Sequence, residues 1–505
     1  MFRNNWMIEG ILIGLNTALS IKNIIMVMIG CFAGTIIGML PGLGPMTAIA
    51  LMIPITYGFE PSTGLILMAG VYYGAVFGGS TSSILINAPG IPGTVATSFD
   101  GYPMAQQGKA GKALAIAAYS SFAGGTIAAI FLLFAAPSLS KVSLAFRSPD
   151  YFGLMILGLT AVSAFSAKGH FLKAMMMVVL GLMLASVGQD TLSDIPRFVF
   201  NNMNLADGIS FVLVVMATFA MSEALSIIFK GSDPTQAAKQ ISLSKLGSIR
   251  LDKEETKKMV TTIPRSSIIG FIVGVLPGAG STIASFLAYG MERNFVKDEE
   301  KQKFGKGSVN GLSAPETANN AACSGSFVPL LTLGIPGSGT TAVMLGALLG
   351  FGIQPGPRLY QTNPEIFWSV IMSMYIGMVI LLILNLPLIP YIARILAVPR
   401  AFLIPLILFF SVTGIYLMSF NNFDIYLMIG IAVVATILRL YEFPMPPLIL
   451  AFVLGGLMEE NLRRSLLISD GSWAFLWDRP LTLCIMITIL FIVFWQIYNS
   501  YFKKK

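Results

Sequence analysis

The sequence predicts an all-α polytopic membrane protein made of two inverted-topology repeats, each with a re-entrant hairpin, an interrupted helix and four further spans, plus extra terminal helices. Three observations carry this prediction: the composition, a repeated proline–glycine segment and the placement of the basic residues. Of the 505 residues, 55% are hydrophobic and only 11% are charged, and the mean hydropathy is +0.78. Soluble domains carry roughly 25% charged residues, so this balance is typical of a polytopic membrane protein.

The composition also excludes several classes of protein. The three cysteines stand at no metal-ligand spacing and His170 is the single histidine, so no site for a transition metal is expected. The net charge of +8 comes mostly from loops and the C-terminal tail. It indicates orientation against anionic lipid, not a nucleic-acid partner. Because no zinc-protease, P-loop or dinucleotide motif is present, we expect neither an enzyme nor a cofactor.

One short segment occurs twice. GTIIGMLPGLG at 34–44 recurs as GFIVGVLPGAG at 270–280, 236 positions later. Proline and glycine weaken a helix, and in a bilayer a broken backbone is tolerated only where it is buried in protein or lines a cavity. A repeated break of this kind points to the binding site of a transporter. Two helix ends with glycine-rich caps are the alternative.

The apolar runs follow the same order in both halves. After a short helix at 6–20, the first half has hairpin arms at 24–40 and 45–57, an interrupted span at 64–86, and spans at 113–136, 151–167, 171–187 and 208–229. The second half has arms at 266–276 and 281–290, an interrupted span at 312–335 continued by 342–353, spans at 366–392, 401–420, 425–438 and 446–458, and an extra final span at 481–498. We therefore divide the chain into an N-terminal helix (1–20), repeat 1 (21–230), a cytoplasmic linker (231–264), repeat 2 (265–470) and a C-terminal helix with a basic tail (471–505).

The basic residues assign the sides of the membrane. The polar segments before and after the second hairpin, 230–265 and 291–306, are both rich in lysine and arginine, and such segments stay in the cytoplasm. The second hairpin must then enter and leave by the cytoplasmic face, with arms of about ten residues that reach mid-bilayer. The first hairpin is flanked by Lys22 on one side and by no basic residue on the other, so we place it on the outer face of the membrane. Both termini are placed in the cytoplasm. Seven basic residues do not fit this assignment: Lys141, Arg147, Arg197, Arg358, Arg463, Arg464 and Arg479.

Each hairpin is followed by a second proline–glycine interruption. We name 87–94 the first break and 334–341 the second break. With the two hairpin tips they make four broken helix ends, whose free N–H groups suit a carboxylate and whose free carbonyls suit Na⁺. The alternative for the nearby small and hydroxyl residues is close helix packing. The predicted substrate-binding residues are Pro41, Gly42, Gly44, Thr47, Ser80, Thr81, Asn87, Pro89, Gly90, Pro277, Gly278, Gly280, Ser281, Thr282, Pro336, Gly337, Ser338, Thr340 and Thr341.

A carboxylate and two amides stand together in the segment LSAPETANNAA. Glu316, Asn319 and Asn320 lie within about one helical turn of each other in an apolar run, where they can coordinate a cation or take a proton. Together with Asn87 they are the candidates for a coupling ion, Na⁺ or H⁺. A helix start, with Pro315 in its first turn, is an equally good interpretation.

Two further segments have a structural interpretation. Glu223 stands 236 positions before Glu459, and for both glutamates a helix end at the membrane interface is favoured over a functional role. Asp100-Gly101-Tyr102-Pro103 resembles a turn, in which Asp100 would be structural.

The motif set resembles the large membrane subunit of the bacterial tripartite tricarboxylate transporter family. The resemblance runs over nearly the whole chain, with Thr317 where the family usually has serine. The similar segments are GTIIGMLPGLGP, YYGAVFGGSTSSILINAPG, DGYPMAQQGKAGKAL, GVLPGAGSTIASFLAYGMER, APETANNAA and PLLTLGIPGSGTTAVMLGALLGFGIQPGP.

The resemblance implies a carboxylate importer in the bacterial inner membrane that is driven by an ion gradient and not by ATP. It also implies two partners, a small membrane subunit and a periplasmic solute-binding protein. The substrate is expected to be a tricarboxylate, a dicarboxylate or a related organic acid. A membrane-embedded enzyme and a passive anion channel are the alternatives, and a homo-oligomer is one option for the assembly.

Overall fold

The computed structural model describes residues 5–40, 43–164, 171–190, 193–230, 247–278, 280–388, 391 and 400–502. Within these ranges the regular structure is helical, apart from two short paired strands, Gly188–Gln189 and Pro196–Arg197. Seven helical segments in the same ranges are long and apolar enough to cross a membrane. The prediction of an all-α polytopic membrane protein is therefore confirmed.

The first half of the chain contains helices α1 to α10. A 3₁₀ turn at Pro92–Thr94 precedes α5, and π-helical turns at Ala105–Lys109 and Met216–Met221 join α5 to α6 and α9 to α10. The bounds are α1 Asn5–Ala18, α2 Ile21–Met39, α3 Gly44–Thr56, α4 Pro61–Ile86, α5 Val95–Met104, α6 Ala110–Ser143, α7 Ser148–Ala164, α8 Phe171–Ala185, α9 Phe211–Val215 and α10 Ser222–Lys230.

The second half contains helices α11 to α22, and they follow the order of the predicted spans. The bounds are α11 Lys253–Val275, α12 Gly280–Phe295, α13 Asp298–Lys301, α14 Val309–Gly325, α15 Phe327–Leu333, α16 Gly339–Gly350, α17 Leu359–Thr362, α18 Pro364–Asn385, α19 Arg400–Ser419, α20 Asn422–Leu440, α21 Met445–Ile468 and α22 Pro480–Phe502.

The two interrupted helices, α4 and α14, lie in the core of the protein. Nearly all of α4 is buried, and α14 is buried from Asn310 to Gly325. A helix that is buried on every side needs neighbours that approach closely, and glycine permits that approach. The first hairpin helix packs on α4 in this way, and α11 packs on α14.

The same close contacts recur in both halves of the chain. A Cβ added at any of four hairpin glycines would overlap a backbone carbonyl of the facing interrupted helix. The two glycines of the first hairpin stand 236 positions before the two of the second. The glycine and carbonyl partners are Gly34 with Val71, Gly38 with Ala75, Gly270 with Ala318 and Gly274 with Ala322.

Replacing Gly34 by alanine is expected to destabilise the protein, because the added methyl group would force α2 and α4 apart. Alanine at an open helical position is instead favourable by about 1 kcal/mol over glycine. Gly430 in α20 offers such a position, because nothing lies within 4 Å of a Cβ added there. We expect thermal unfolding in detergent to begin at a lower temperature for Gly34→Ala than for Gly430→Ala. Equal unfolding temperatures for the two variants would contradict this packing argument.

The described residues on either side of the two hairpin turns have similar backbone conformations. Leu40 and Leu276 end the first arms with φ/ψ of −79°/113° and −75°/123°. Gly44 and Gly280 begin the second arms with φ of +63° and +61°, a conformation that favours glycine. The repeated sequence therefore has the same backbone conformation at the described residues that flank both turns.

The first arm of the second hairpin is longer than expected. The estimate of about ten residues for the arms of that hairpin is wrong for α11, which has 23 residues. Helix α2, with 19 residues, is close to the run expected at 24–40. Helix α11 extends beyond its apolar part because Asp252 and Glu255 form a capping box that starts it within a polar segment. The second arms, α3 and α12, are shorter, with 13 and 16 residues.

The predicted turn at 100–103 is wrong, because these residues lie in α5. The buried Asp100 carboxylate accepts hydrogen bonds from the N–H groups of Gly307 and Ser308 at 2.9 and 2.7 Å. It also accepts one from the Tyr289 hydroxyl at 3.0 Å. Asp100 therefore has the structural role that was expected of it, as the residue that ties α5 to the second half.

Candidate functional site

The two breaks begin with residues in the left-handed conformation. Asn87 caps the C-terminal end of α4 with φ of +50°, and Gly334 caps that of α15 with φ of +69°. A proline follows two positions later in each case, at Pro89 and Pro336. Proline has no backbone N–H group and cannot continue the helix. The chain therefore leaves the helix in the same way at both breaks.

In each half the break packs against the backbone of its own hairpin. The N–H group of Gly278 donates a hydrogen bond to the Gly337 carbonyl at 3.1 Å. A Cβ added at Gly337 would lie 2.8 Å from the Gly274 carbonyl oxygen, and one added at Gly90 would overlap that of Gly38. These contacts leave no room for side chains, so Gly90 and Gly337 of the two breaks act here as close-packing residues.

The two halves meet at the same breaks. The Ser285 hydroxyl of the second hairpin donates to the Gly93 carbonyl of the first break at 2.6 Å. A Cβ added at Gly339 of the second break would lie 3.0 Å from the Met46 sulfur of the first hairpin. The Tyr72 hydroxyl of α4 lies 3.4 Å from the hydroxyl of Ser338. The described parts of the four predicted breaks thus gather in one region of the molecule.

A cavity of about 620 Å³ opens at the first hairpin and the first break. Of the predicted substrate residues, Gly44, Thr47, Pro89 and Gly90 line this cavity. Helix α3 begins at Gly44, so its positive N-terminal end faces the cavity. The remaining wall comes from other parts of the chain, including Phe219, Glu223, Arg439 and Pro446.

Sequence reasoning missed the ion pair in this wall. Arg439 binds the Glu223 carboxylate through Nη1, and it donates to the Ser222 hydroxyl and to the Thr218 carbonyl, both at 2.9 Å. The two charged side chains are only 20% and 14% exposed. The favoured interpretation of Glu223, a helix end at the membrane interface, stays a prediction, but its side chain also lines this cavity. An arginine at the end of an apolar run was the available signal.

The other predicted residues have separate environments. Ser80 lies at Glu316, Thr81 lines a small neighbouring pocket, and Asn87 is exposed. Ser338 and Thr341 form a capping box at the start of α16, and Thr340 is buried beside them. Gly280, Ser281 and Thr282 begin α12 next to Pro277 and Gly278. Pro41 and Gly42 lie outside the described residues.

Glu316 is fully buried at the centre of the protein. Its carboxylate accepts hydrogen bonds from Ser80 at 2.7 Å, from Ser121 at 2.8 Å and from Thr97. These hydroxyls come from three different helices, α4, α6 and α5. A carboxylate surrounded by hydroxyls can hold a small cation or a proton. The interpretation of Glu316 as the start of a helix is wrong, because α14 begins at Val309.

Asn319 lies at the contact between the halves with its polar atoms unpaired. Its amide nitrogen and oxygen are both buried and have no hydrogen-bond partner. A Cβ added at Gly93 would lie 2.7 Å from the Asn319 oxygen and 2.9 Å from the Ser281 hydroxyl. Glycine at position 93 therefore leaves a small polar space there. Buried polar groups are nearly always paired, so this space is suited to a small polar ligand. The side-chain oxygen of Asn320 is also buried without a partner.

The sequence model of the tripartite tricarboxylate transporter TctA family matches residues 24–450. An Agrobacterium vitis protein described as an uncharacterized 52.8 kDa protein in the TAR-I ttuC' 3' region is 43% identical over 465 residues. That alignment covers 92% of this chain and 91% of the relative.

A second Agrobacterium vitis protein, described as an uncharacterized protein in the TAR-II ttuC' 3' region, is 44% identical over 202 residues. This alignment covers 40% of the present chain and 83% of the relative. No solved structure matches the chain significantly. The family match spans most of the chain and includes both hairpins and both breaks. The protein therefore belongs to the tripartite tricarboxylate transporter TctA family.

Proposed function

We propose that the protein is the permease subunit of a binding-protein-dependent, ion-gradient-driven importer of tricarboxylates or dicarboxylates. The observation that carries the proposal is the cavity where the start of α3 and the Arg439 guanidinium face the same space. A helix N-terminus and an arginine both favour a bound carboxylate. The cavity volume of about 620 Å³ leaves room for a small organic acid and water.

The proposed architecture is a pair of inverted repeats with re-entrant hairpins. Its support is the recurrence of the glycine contacts, of the left-handed turns at Gly44 and Gly280, and of the helix ends at Asn87 and Gly334. The distribution of lysine and arginine supports opposite orientations of the two halves and cytoplasmic termini. Transporters with this architecture bind substrate where broken helices meet near the middle of the bilayer.

The proposed coupling ion is Na⁺ or H⁺, bound near Glu316 and Asn319. Both residues are buried, and both lie on α14. The unpaired Asn319 oxygen faces Ser281 of the second hairpin and Gly93 of the first break. An ion bound there would contact both halves of the protein, which is the requirement for coupling its binding to a movement between them.

The proposed setting is the bacterial inner membrane, with two partner proteins. The name of the family describes a tripartite system, and this chain supplies one part of it. We propose that a small membrane subunit and a periplasmic solute-binding protein supply the others. The binding protein would deliver the carboxylate, and the permease would carry it inward without chemical change.

Uptake by proteoliposomes that contain the permease and both partner subunits tests this function. Citrate, succinate and malate are offered in turn, while the Na⁺ and H⁺ gradients are varied independently. We expect one acid to accumulate, and only when the binding protein and an inward ion gradient are both present. Flux that ignores the gradient would instead indicate a channel, and a chemically altered product would indicate an enzyme.

A further inference from the structure

We propose that the Glu223 carboxylate occupies the substrate-carboxylate site on Arg439 when the cavity is empty, and that the incoming acid displaces it. This inference rests on the proposed function, and it adds the residue that receives the substrate and the residue that competes with it. Both side chains line the cavity. They stand 216 positions apart in the chain, on α10 and α20.

The guanidinium of Arg439 is held in place by groups other than Glu223. Its Nε donates to the Ser222 hydroxyl and its Nη2 donates to the Thr218 carbonyl, both at 2.9 Å. The centre of the guanidinium lies 5.7 Å from the centre of the Phe219 ring, at a cation–π distance. Arg439 would therefore keep its position if Glu223 moved away, and its Nη1 would be available to another carboxylate.

The backbone directly before Glu223 is irregular. Residues Met216–Met221 form a π-helical turn directly before α10. Turns of this kind are frequent at functional sites. The Thr218 carbonyl accepts a hydrogen bond from Arg439, and the Phe219 carbonyl accepts one from Thr47 of the first hairpin at 3.4 Å. Displacement of Glu223 would thus affect the hydrogen bonds of this turn, including the one with the first hairpin, which borders the cavity.

An exchange of carboxylates avoids leaving a buried charge alone. Removing one partner of a buried ion pair is strongly unfavourable, because the remaining charge is desolvated and unpaired. When the substrate carboxylate takes the place of Glu223, Arg439 stays paired throughout. Glu223 is 14% exposed and borders the cavity, so water in the cavity can receive its carboxylate.

Binding of citrate, succinate and malate to the purified permease in detergent tests the inference by titration calorimetry. Glu223→Gln removes the competing charge, and we expect it to tighten binding of the preferred acid about tenfold. Arg439→Lys keeps the positive charge but loses the planar guanidinium, which can bind a carboxylate through two parallel hydrogen bonds. We expect this variant to bind the acid about tenfold more weakly, or weaker still. In Glu223→Asp the side chain is shorter by one methylene group, so its carboxylate competes less well for Arg439. This variant should also tighten binding, but by less than Glu223→Gln does.

Glu459→Gln is the matched control. Glu459 pairs with Arg197 and Arg463 at 2.9 and 2.5 Å, and it is not part of the cavity wall. Its replacement should leave the dissociation constant within about twofold of the wild-type value. The inference is overturned if both Glu223 variants bind as Glu459→Gln does, or more weakly. If the wild-type protein with its partners neither binds nor transports any of the acids, the proposed function fails instead.

Discussion

Replacement of Gly278 by leucine is expected to abolish carboxylate uptake and to leave the protein inserted in the membrane. Gly278 has φ of +79°, and a Cβ added there would lie 2.5 Å from the Val162 nitrogen and 2.8 Å from the Ala161 carbonyl carbon. Its N–H group also joins the second hairpin to the second break through the Gly337 carbonyl. A leucine side chain cannot be placed there unless the hairpin tip moves away from α7 and from the break.

The effect of Gly278→Leu is measured as uptake by cells that express the complete transporter. The amount of protein in the membrane is measured in parallel. Gly290→Leu is the matched control on the arm of the same hairpin, because nothing lies within 4 Å of a Cβ added at that position. Loss of uptake in both variants would mean that leucine in the hairpin is harmful wherever it stands.

Gly42→Leu is expected to abolish uptake as well. Normal uptake by both Gly278→Leu and Gly42→Leu would refute a binding site at the hairpin tips.

Glu316→Gln is expected to remove gradient-driven accumulation while substrate exchange across the membrane continues. Glutamine has the volume of glutamate and can keep hydrogen bonds to Ser80, Ser121 and Thr97. It can neither take a proton nor offer a negative charge to a cation. If Glu316 carries the coupling ion, accumulation should fall by about tenfold or more, which corresponds to a loss of about 1.4 kcal/mol or more of driving force.

Proteoliposomes preloaded with unlabelled acid separate the two activities, since exchange of labelled for unlabelled substrate needs no net ion movement. The control is Glu292→Gln, which replaces another buried carboxylate. Glu292 is paired with Arg265 at 2.6 Å, so its loss should lower stability without uncoupling transport. Full accumulation by Glu316→Gln under an imposed gradient would exclude Glu316 as the coupling residue.

The positions of the helices could be predicted because each span is a long apolar run. The bilayer requires about 20 such residues for a crossing, and this requirement is local to the sequence. The turn predicted at 100–103 was wrong because the structure there depends on contacts that are distant in sequence. Asp, Gly and Pro favour turns through local geometry, but contacts with the distant Gly307 and Ser308 hold Asp100 in a helix instead.

The candidate site was predictable only in part. The repeated glycines and prolines could be recognised because their backbone geometry follows from residue type. The pairing of Glu223 with Arg439 could not be predicted, because the two residues stand 216 positions apart and no local pattern links them. The same holds for Ser80, Thr97 and Ser121, which reach Glu316 from three separate helices.

The sequence by itself therefore determined that this is a helical membrane protein in which a proline–glycine segment occurs twice, because apolar length, proline and glycine act locally. Only the tertiary structure decided which side chains share a space. It brings Arg439 and Glu223 to the cavity at the first break and surrounds Glu316 with hydroxyls. The physical reason is that a buried charge must find partners in three dimensions, and helices that are distant in sequence supply them.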